Sequence, residues 1–418
     1  MPRRYAQAMN APHSSAAARP ARPRRSFADV GYAEALDRAR ALVPLLESHA
    51  AEQEKATRMI PPIVQALHES GLFRYQQPRC FGGMELDLPA IVEIVEILGR
   101  GDASTAWTFA NLGSHHRQLA LWEPRAQEEV WGDDPDTLIA SGIAFPQGRG
   151  TRADGGLLLS GQWGFSSGVD VSQWNMLSCI VREGEQPVDW CACLVPASDY
   201  TVIDDWQTLG MRGTGSRTVR ADDVFVPAHR VLSLHVARPG HVFPGLAGHP
   251  GPLFRVPTAA LGGHSIAAAM VGNAQAMVDR MLASIRERSS SYTGATLRDL
   301  QAVQLRLSMA AAKVDAMRTF LRNDCAEAFA TLSAGGGIDL ASKLRYKRNC
   351  ALSVKVVTEA VDTLHELAGA NGIYDNQPVQ RLFRDAHAAG GHFAFSVDAQ
   401  MPPWALSALG GEVNSPTL

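Results

Sequence analysis

The sequence predicts a mostly α-helical protein of the α+β class, in which a small β-domain separates an N-terminal helical domain from a C-terminal four-helix bundle. Three observations support this prediction. Apolar residues recur at three- and four-residue steps up to about residue 130, which is the period of an amphipathic helix. Short strands with turn signals then continue to about residue 231. From residue 262 onward the helical runs are long and contain no breaker, as in a bundle.

The length, composition, net charge and cysteine count of the chain exclude several classes of protein. With 418 residues, 46% hydrophobic and 19% charged, the chain is an ordinary globular protein, long enough for two or three domains. Its formal net charge of -3 favours neither a nucleic-acid surface nor an anionic membrane as partner. The six cysteines match neither a disulfide framework nor a zinc site. We therefore expect no bound metal and a reduced, cytoplasmic setting.

The N-terminal part divides into a tail and a helical domain. Residues 1–25 are rich in arginine and contain no acid, which fits an organelle transit peptide or a disordered tail, and we favour the tail. Residues 26–135 are expected to form the helical domain. Its fourth helix is expected to be capped by Asp102 or Ser104, since short polar side chains satisfy the free N–H groups of a first turn.

Residues 136–235 are expected to form the β-domain, a small barrel or sandwich. Residues 236–262 are rich in Gly, Pro and His and show no period, which is typical of a lid or substrate loop. This loop opens the C-terminal region, 236–418, which we expect to pack on itself and on partner subunits. Its expected helices are 265–289, 297–333, 338–370 and a shorter one after Pro378.

One stretch, 161–168, combines aromatic and hydroxyl side chains between two apolar strands, in the order Gly-Gln-Trp-Gly-Phe-Ser-Ser-Gly. Trp163 and Phe165 offer aromatic faces, and Ser166 and Ser167 offer small donors. A flat polar heterocycle needs both, because its ring packs on an aromatic face while its nitrogens and carbonyls take hydrogen bonds. The alternative is a buried tryptophan in the core of the β-domain, with serines in its turn.

Several segments, taken in order, resemble the acyl-CoA dehydrogenase fold. The resemblance covers nearly everything after residue 30 and implies the helical, β and four-helix-bundle order given above. It also implies a homotetramer or homodimer. The segments that carry it are 210–216 with 222–227, Tyr292-Thr293-Gly294 with 300–304, and 369–374 with 378–379 and 381–386.

A departure from that pattern narrows the resemblance. Acyl-CoA dehydrogenases commonly place a glutamate base a few residues past the pair that is Arg384-Asp385 here, but this chain has no further acid until Asp398. His392 near that place, Gly-Ser-His ending at His115, and the Trp-x-Phe-Ser-Ser-Gly run are similar to the oxygenase components of two-component flavin monooxygenases. The p-hydroxyphenylacetate 3-hydroxylase oxygenase is the nearest type. We expect Arg384-Asp385 to form an ion pair that orients the last helix.

The resemblance implies a reduced-flavin-dependent monooxygenase. Reduced FAD or FMN, supplied by a separate NAD(P)H-flavin reductase, would react with O2 to give a C4a-(hydro)peroxide. One oxygen atom would then enter a small aromatic or heteroatom-bearing substrate, by C-, N- or S-oxygenation. Two alternatives stay open: an acyl-CoA dehydrogenase or oxidase with a relocated base, and a flavin-free scaffold of the same fold.

The resemblance also implies roles for single residues. Ser166, with Ser167 as second candidate, would hold a hydroxyl against flavin N5. Trp163 and Phe165 would line the flavin, or pack as plain core residues.

Two histidines and six other residues complete the implied site. His115 and His392 would meet in one pocket, where an imidazole accepts the proton of a phenol or donates to the peroxide. Arg212 and Ser216 would contact flavin phosphate or substrate. The tail of the flavin, bound across subunits, would contact Tyr292, Gln301, Gly369 and Gly372.

Overall fold

The computed structural model describes residues 25–290, 293–415 and 417–418, so the predicted tail lies outside the described residues except for Arg25. The N-terminal region is helical, as predicted. Asp102 caps the fourth helix, because its carboxylate accepts the N–H of Thr105, while Ser104 lies inside the helix. The helices are α1 (Tyr32–Ala56), α2 (Pro61–Glu69), α3 (Leu88–Gly101), α4 (Ala103–Leu119) and α5 (Pro124–Trp131).

The central region is one hydrogen-bonded sheet. Its strands pair in the order β6-β7-β3-β2-β4-β5-β8, and β1 pairs in parallel with β4. The long strand β3 lies inside this sheet, between β2 and β7, so both of its edges are bonded. The strands are β1 (Ile139–Gly142), β2 (Gly148–Ala153), β3 (Gly156–Ser166), β4 (Trp174–Glu183), β5 (Gln186–Pro196), β6 (Thr201–Ile203), β7 (Arg217–Pro227) and β8 (Val231–Ser233).

The C-terminal region is a bundle of long helices. Its first helix starts at Thr258, directly after Pro257 and earlier than the sequence predicts, and it continues through the glycines at 262 and 263. The predicted lid or substrate loop is shortened accordingly. The helices are α6 (Thr258–Glu287), α7 (Gln301–Ser333), α8 (Leu340–Ala368), α9 (Pro378–Gly390), α10 (Val397–Gln400) and α11 (Pro402–Ala408).

The two helical regions share one hydrophobic core. Buried residues of α1, α3 and α4 pack with those of α6, α7 and α8 in a single cluster, so the N-terminal domain and the bundle stabilise each other by apolar burial. The sheet has its own core, and a third cluster joins the end of α4 and α5 to β1, β4 and β5. None of the helices in the described part of the chain is long and apolar enough to cross a membrane.

Candidate active site

The end of β3 turns its side chains out of the normal strand alternation. The register with β7 shifts between Trp163 and Ser166, and Phe165 adopts a left-handed φ of 64° inside this bulge. As a result the Phe165 ring is 73% exposed, whereas Ser166 beside it is fully buried. The bulge therefore presents an aromatic ring and a hydroxyl on opposite sides of one short backbone segment.

Gly168 closes this segment against α4. Its φ is 73°, and a Cβ atom there would lie 2.7 Å from Cγ2 of Thr108. Only glycine meets both conditions, because a side chain would be strained in this conformation and would also collide with the helix. The Ser166–Ser167 edge is thus fixed closely over the middle of α4.

Trp163 belongs to the core of the sheet. Its side chain is fully buried, and its Nε1–H donates to the carbonyl of Ser178 at 2.7 Å. The indole packs beside Gly148 and Gly161 of β2 and β3. It has no face free for a flavin within this chain, which agrees with the core alternative given above.

Ser166 has a hydroxyl proton that no described residue accepts. Its Oγ accepts from the Nδ2 atom of Asn175 at 3.0 Å, and that is the one hydrogen bond of its side chain among the described residues. The Asn175 amide also interacts with the buried hydroxyl of Tyr200. The buried Ser166 hydroxyl therefore keeps an unused donor, which a polar ligand beside it can take.

Ser167 is different, because it belongs to a chain of hydrogen bonds. The Nε1 atom of Trp107 donates to Ser167 Oγ at 3.3 Å, and Ser167 Oγ lies 2.7 Å from Ser216 Oγ. Ser216 Oγ lies 2.6 Å from Thr214 Oγ1, and Thr214 Oγ1 donates to the carbonyl of Met211 at 2.8 Å. All three hydroxyls are buried.

The direction of this chain follows from its last member. A carbonyl only accepts, so the Thr214 proton is committed to Met211, and Ser216 must donate to Thr214. Ser167 must then donate to Ser216. The Ser167 proton is occupied within the protein, whereas the Ser166 proton is free.

Ser216 and Arg212 were both expected to contact flavin phosphate or substrate. In the structure Ser216 contacts two hydroxyls, and Arg212 donates through Nε to the carbonyl of Thr208.

His115 lies on α4 and is buried against β1. Its Nδ1 atom lies 2.6 Å from the carbonyl of Ile139, so Nδ1 carries the proton and Nε2 keeps a free lone pair. Burial lowers the pKa of His115 to about 4, with a smaller contribution from the positive charge of Arg117. His115 is therefore a neutral imidazole near pH 7, with Nε2 as a hydrogen-bond acceptor.

His392 has the opposite tautomer. Its Nδ1 atom accepts the backbone N–H of Ala394 at 3.1 Å, so in the neutral ring Nε2 carries the proton. Burial lowers the pKa of His392 to about 4. Its ring packs edge-on against Trp107, with 5.3 Å between centroids. His392 is therefore a neutral imidazole whose free nitrogen is a donor.

Contacts connect His392 to the Ser166–Ser167 edge through one residue, because Trp107 contacts both His392 and Ser167. His115 is connected less directly: it bonds Ile139, whose neighbour Ala140 pairs with Asn175, the partner of Ser166. Trp107 and His115 are about two helical turns apart on α4. That the two imidazoles share one pocket stays a prediction.

Three further residues belong to this arrangement and were not predicted from the sequence: Trp107, Asn175 and Trp206. Trp206 meets the exposed ring of Phe165 edge to face at 5.9 Å. Two of them have a signal in the sequence. Trp107 precedes His115 by eight positions, which places both near one helix face, and Asn175 is a polar residue inside an apolar strand.

These residues fit a flavin ring. The edge supplies an exposed aromatic surface at Phe165, a free hydroxyl donor at Ser166 and, beside Trp107, the imidazole N–H of His392. An isoalloxazine presents both donor and acceptor atoms on a flat ring, and groups of these types match such a ring. Within the described residues, no group of three or more His, Cys, Asp or Glu side chains could hold a metal ion.

The residues expected at the flavin tail lie away from this edge. Gly369 ends α8 with a φ of 65°, Gly372 is buried in the turn that follows, and Gln301 is the exposed first residue of α7. Tyr292 lies outside the described residues. An open pocket of about 520 Å³ borders the 369–373 turn, lined by Ser284, Arg288, Asn371, Tyr374, Asn376 and Gln377.

The expected ion pair between Arg384 and Asp385 is wrong. Arg384 pairs with Glu54 at 2.5 Å and donates to the carbonyl of Leu209, while Asp385 accepts the N–H of Met211 at 2.6 Å. Neighbours on a helix point in different directions, so the two side chains reach different partners. Both nevertheless fix α9, since each bonds the loop before β7.

Much of the expected lid is packed on the helical domain. The N–H of Gly245 donates to the carbonyl of Leu121, His249 bonds Gln127 at 2.7 Å, and Leu253 and Phe254 are buried. Movement of the segment after residue 243 would break these contacts. The stretch between β8 and residue 243 is the more exposed part of that loop.

Known protein families match both helical regions of the chain. The acyl-CoA dehydrogenase N-terminal domain family matches residues 36–128, and the acyl-CoA dehydrogenase C-terminal domain family matches residues 264–397. The oxygenase subunit HsaA of a flavin-dependent monooxygenase from Rhodococcus jostii is 35% identical over 360 residues, which cover 86% of this chain and 94% of that protein.

A second relative and a solved structure point the same way. The oxygenase component of the FADH(2)-dependent resorcinol hydroxylase from Rhizobium sp. is 34% identical over 365 residues, which cover 85% of this chain and 89% of that protein. The crystal structure of the HsaA monooxygenase from Mycobacterium tuberculosis superimposes with a TM-score of 0.88 at 32% identity. It covers 93% of this chain and 100% of that one.

Proposed function

Because the chain belongs to the family of flavin-dependent monooxygenase oxygenase components with the acyl-CoA dehydrogenase fold, we propose that it hydroxylates a small phenol. The membership makes it an oxidoreductase that uses reduced flavin. The observation that carries the substrate class is the free Nε2 lone pair of the neutral His115, which can accept a phenolic O–H. A relative named as a resorcinol hydroxylase supports a phenol as well.

The histidines have complementary roles in this proposal. His115 Nε2 accepts the proton of the substrate hydroxyl, and this makes the ring carbon beside it more nucleophilic. His392 Nε2–H donates on the other side of the edge, toward the oxygen being transferred. Because both imidazoles are neutral near pH 7, they exchange protons with bound groups and add no charge to the pocket.

The edge of β3 binds the cofactor in this proposal. When bound, reduced flavin would activate O2, and one oxygen atom of the O2 would be transferred to the substrate. The Ser166 hydroxyl, which keeps a free proton and a lone pair, would hydrogen-bond the flavin at N5, and Phe165 with Trp206 would cover the ring and exclude water. The pocket beside 369–373 would take the tail of a flavin whose ring is bound by a second copy of the chain.

We also propose the partners of the chain. Oxygenase components act with a separate flavin reductase, and a small molecule is the substrate. A second copy of the chain packs on the outer face of α7, where exposed apolar residues recur at alternating three- and four-residue steps, the pattern of a helix–helix seam. These residues, the α7 stripe, are Ala302, Leu305, Met309, Ala312 and Ala316. This arrangement gives a homodimer or homotetramer, and the unpaired cysteines fit a reducing cytoplasm.

One experiment tests the proposed function. Purified protein is mixed anaerobically with FADH2 or FMNH2, and then with ¹⁸O2 and resorcinol, 4-hydroxyphenylacetate, indole or a thioether. We expect one ¹⁸O atom in the product of a phenol, measured by mass spectrometry, and the more effective flavin identifies the cofactor. Oxygenation of the thioether alone would contradict the proposal that the substrate is a phenol. Bleaching of the oxidised flavoprotein by an acyl-CoA would indicate a dehydrogenase instead.

A matched pair of variants tests the role of His115. His115→Asn keeps a donor for the Ile139 carbonyl but removes the Nε2 lone pair, so phenol hydroxylation falls while the formation of hydrogen peroxide from reduced flavin continues. His387→Asn is the control. His387 lies on the surface of α9, bonds Asp362 of α8 and is outside the proposed pocket. Equal product yields from both variants would remove His115 from the mechanism.

A further inference from the structure

Asp385 lies at the far end of the hydrogen-bond chain that ends at Ser167. Its carboxylate accepts the backbone N–H of Met211 at 2.6 Å, and both residues are buried. Met211 has a φ of 54°, a left-handed conformation that a non-glycine residue adopts at an energetic cost. A charge-assisted hydrogen bond to its N–H offsets this cost.

The Met211 carbonyl is the acceptor on which the whole chain depends. Thr214 Oγ1 donates to it, and the hydroxyls of Ser216 and Ser167 follow in one direction. Trp206 also donates to this carbonyl through Nε1, at 3.3 Å. If Met211 left its left-handed conformation, its carbonyl would turn away and the chain would lose its last acceptor.

The loop that holds Met211 is pressed on α9. A Cβ atom on Gly210 would collide with the backbone carbonyl of Arg384, so the loop approaches the helix as closely as a glycine permits. Arg384 adds a hydrogen bond to the carbonyl of Leu209 at 2.8 Å. The position of Met211 is therefore determined by α9, which is distant from Ser167 in sequence.

We propose that Asp385 is a positioning residue for the Ser166–Ser167 edge. It holds Met211, and through the three hydroxyls it commits the Ser167 proton to Ser216, orients the Trp107 indole against His392, and so leaves Ser166 as the single hydroxyl donor at the flavin ring. This inference rests on the proposed function for its catalytic meaning, but the coupling between Asp385 and Trp107 stands on the contacts of the chain alone.

The charges around Asp385 make this coupling sensitive to pH. Burial, the neighbouring Asp102 carboxylate and, to a smaller extent, Glu54 raise the pKa of Asp385 to about 7, against the opposing effects of the Met211 hydrogen bond and Arg381. Arg384 on the same helix is paired with Glu54. Above pH 7 the ionised carboxylate holds Met211 firmly. Below pH 7 the neutral carboxyl is a weaker acceptor, so the chain loosens as the pH falls.

Fluorine NMR of protein labelled with 5-fluorotryptophan tests the coupling without flavin. Trp107→Phe and Trp206→Phe assign the signals at the two ends of the chain. We expect both signals to shift between pH 6 and 8 in the unchanged protein, and to be independent of pH in Asp385→Asn, which keeps an acceptor oxygen but has no charge. Asp398→Asn, on the exposed surface of α10, is the control and retains the shift.

A second measurement connects the coupling to the chemistry. Asp385→Ala removes the acceptor, so we expect a severalfold larger fraction of reduced flavin to yield hydrogen peroxide instead of product, and Asp385→Asn to restore part of the product. A Trp107 signal unchanged by both substitutions at every pH would overturn the inference. If Asp385→Ala fails to fold, the Asp385→Asn titration decides alone. If the unchanged protein oxygenates no substrate but its two tryptophan signals still depend on Asp385, the proposed function is contradicted and the coupling is confirmed.

Discussion

Adjacent serines at the end of β3 have different chemistry because they have different partners. Ser166 accepts from Asn175 and keeps its proton, while Ser167 is locked between Trp107 and Ser216. In the sequence alone, only the resemblance to flavin monooxygenases favours Ser166 over Ser167 as the hydroxyl at the flavin. The direction of the hydroxyl chain gives a physical reason for the same choice.

Substitution of each serine by alanine tests this difference. Ser166→Ala removes the free donor, so the ratio of product to hydrogen peroxide should fall about tenfold, as expected for one lost hydrogen bond of about 1.4 kcal/mol. Ser167→Ala instead leaves the buried Trp107 N–H without its acceptor, so it should lower the free energy of unfolding by about 1–3 kcal/mol. Product-to-peroxide ratios and urea denaturation of both variants check this. Equal uncoupling by both would contradict it.

The depressed pKa of His115 predicts a loss of stability in acid. The folded protein titrates this group near 4, whereas the unfolded chain titrates it near 6.5, so the unfolded state binds the extra proton between these values. The stabilisation is complete above pH 6.5 and is lost as the pH falls to 4, by about 3 kcal/mol for this group.

Urea unfolding at a series of pH values measures this effect. His115→Asn cannot titrate, so its free energy of unfolding should fall less steeply between pH 6.5 and 4 than that of the unchanged protein. Parallel pH curves for the two proteins would show that His115 is not the titrating group.

At the scale of elements, the bulge in β3 and the turn at Gly168 determine where the site residues point. Gly168→Ala combines a strained φ of 73° with a collision against Thr108 of α4. We expect it to lower the free energy of unfolding by about 2–5 kcal/mol, the sum of backbone strain and overpacking.

Gly155→Ala is the matched control for that substitution. Its φ of 74° imposes the same strain, but nothing lies within 4 Å of a Cβ atom there, so it should cost only about 1–2 kcal/mol. Thermal and urea denaturation compare the two. If Gly168→Ala is no worse than Gly155→Ala, the close contact with α4 is not significant.

At the scale of the whole molecule, the α7 stripe predicts association between copies. Leu305 is 60% and Met309 56% exposed in the single chain, which is unfavourable for large apolar side chains on a long helix. Leu305→Lys introduces a charge into the middle of the stripe, so we expect the oligomer to dissociate to a smaller species in light scattering coupled to size-exclusion chromatography.

Val242→Lys is the control for that change. Val242 is 73% exposed in the loop after β8, away from α7, so a lysine there should leave the molar mass unchanged. A monomer before any substitution would contradict the proposed assembly. An oligomer that survives Leu305→Lys would place the interface elsewhere.

The order of helical region, β-region and helical bundle was predictable from the sequence, since the period of apolar residues is a local property. Helix ends were less predictable. Thr258 starts α6 inside the stretch 236–262 that the sequence alone assigns to a loop, because the packing of α6 on α3 and α4 outweighs the low helix propensity of the glycines at 262 and 263.

By itself, the sequence determined the fold, the family and the short motifs that contain Ser166, His115 and His392, because each of these depends on neighbouring residues or on their order. Only the tertiary structure decided the proton at each atom. Ser167 loses its donor to a partner 49 positions away and contacts a tryptophan 60 positions away, and each histidine takes its tautomer from one backbone group. Trp163, similar to Phe165 in the motif, belongs to the core because a bulge separates them. Such assignments arise from contacts between distant parts of the chain, which no local pattern encodes.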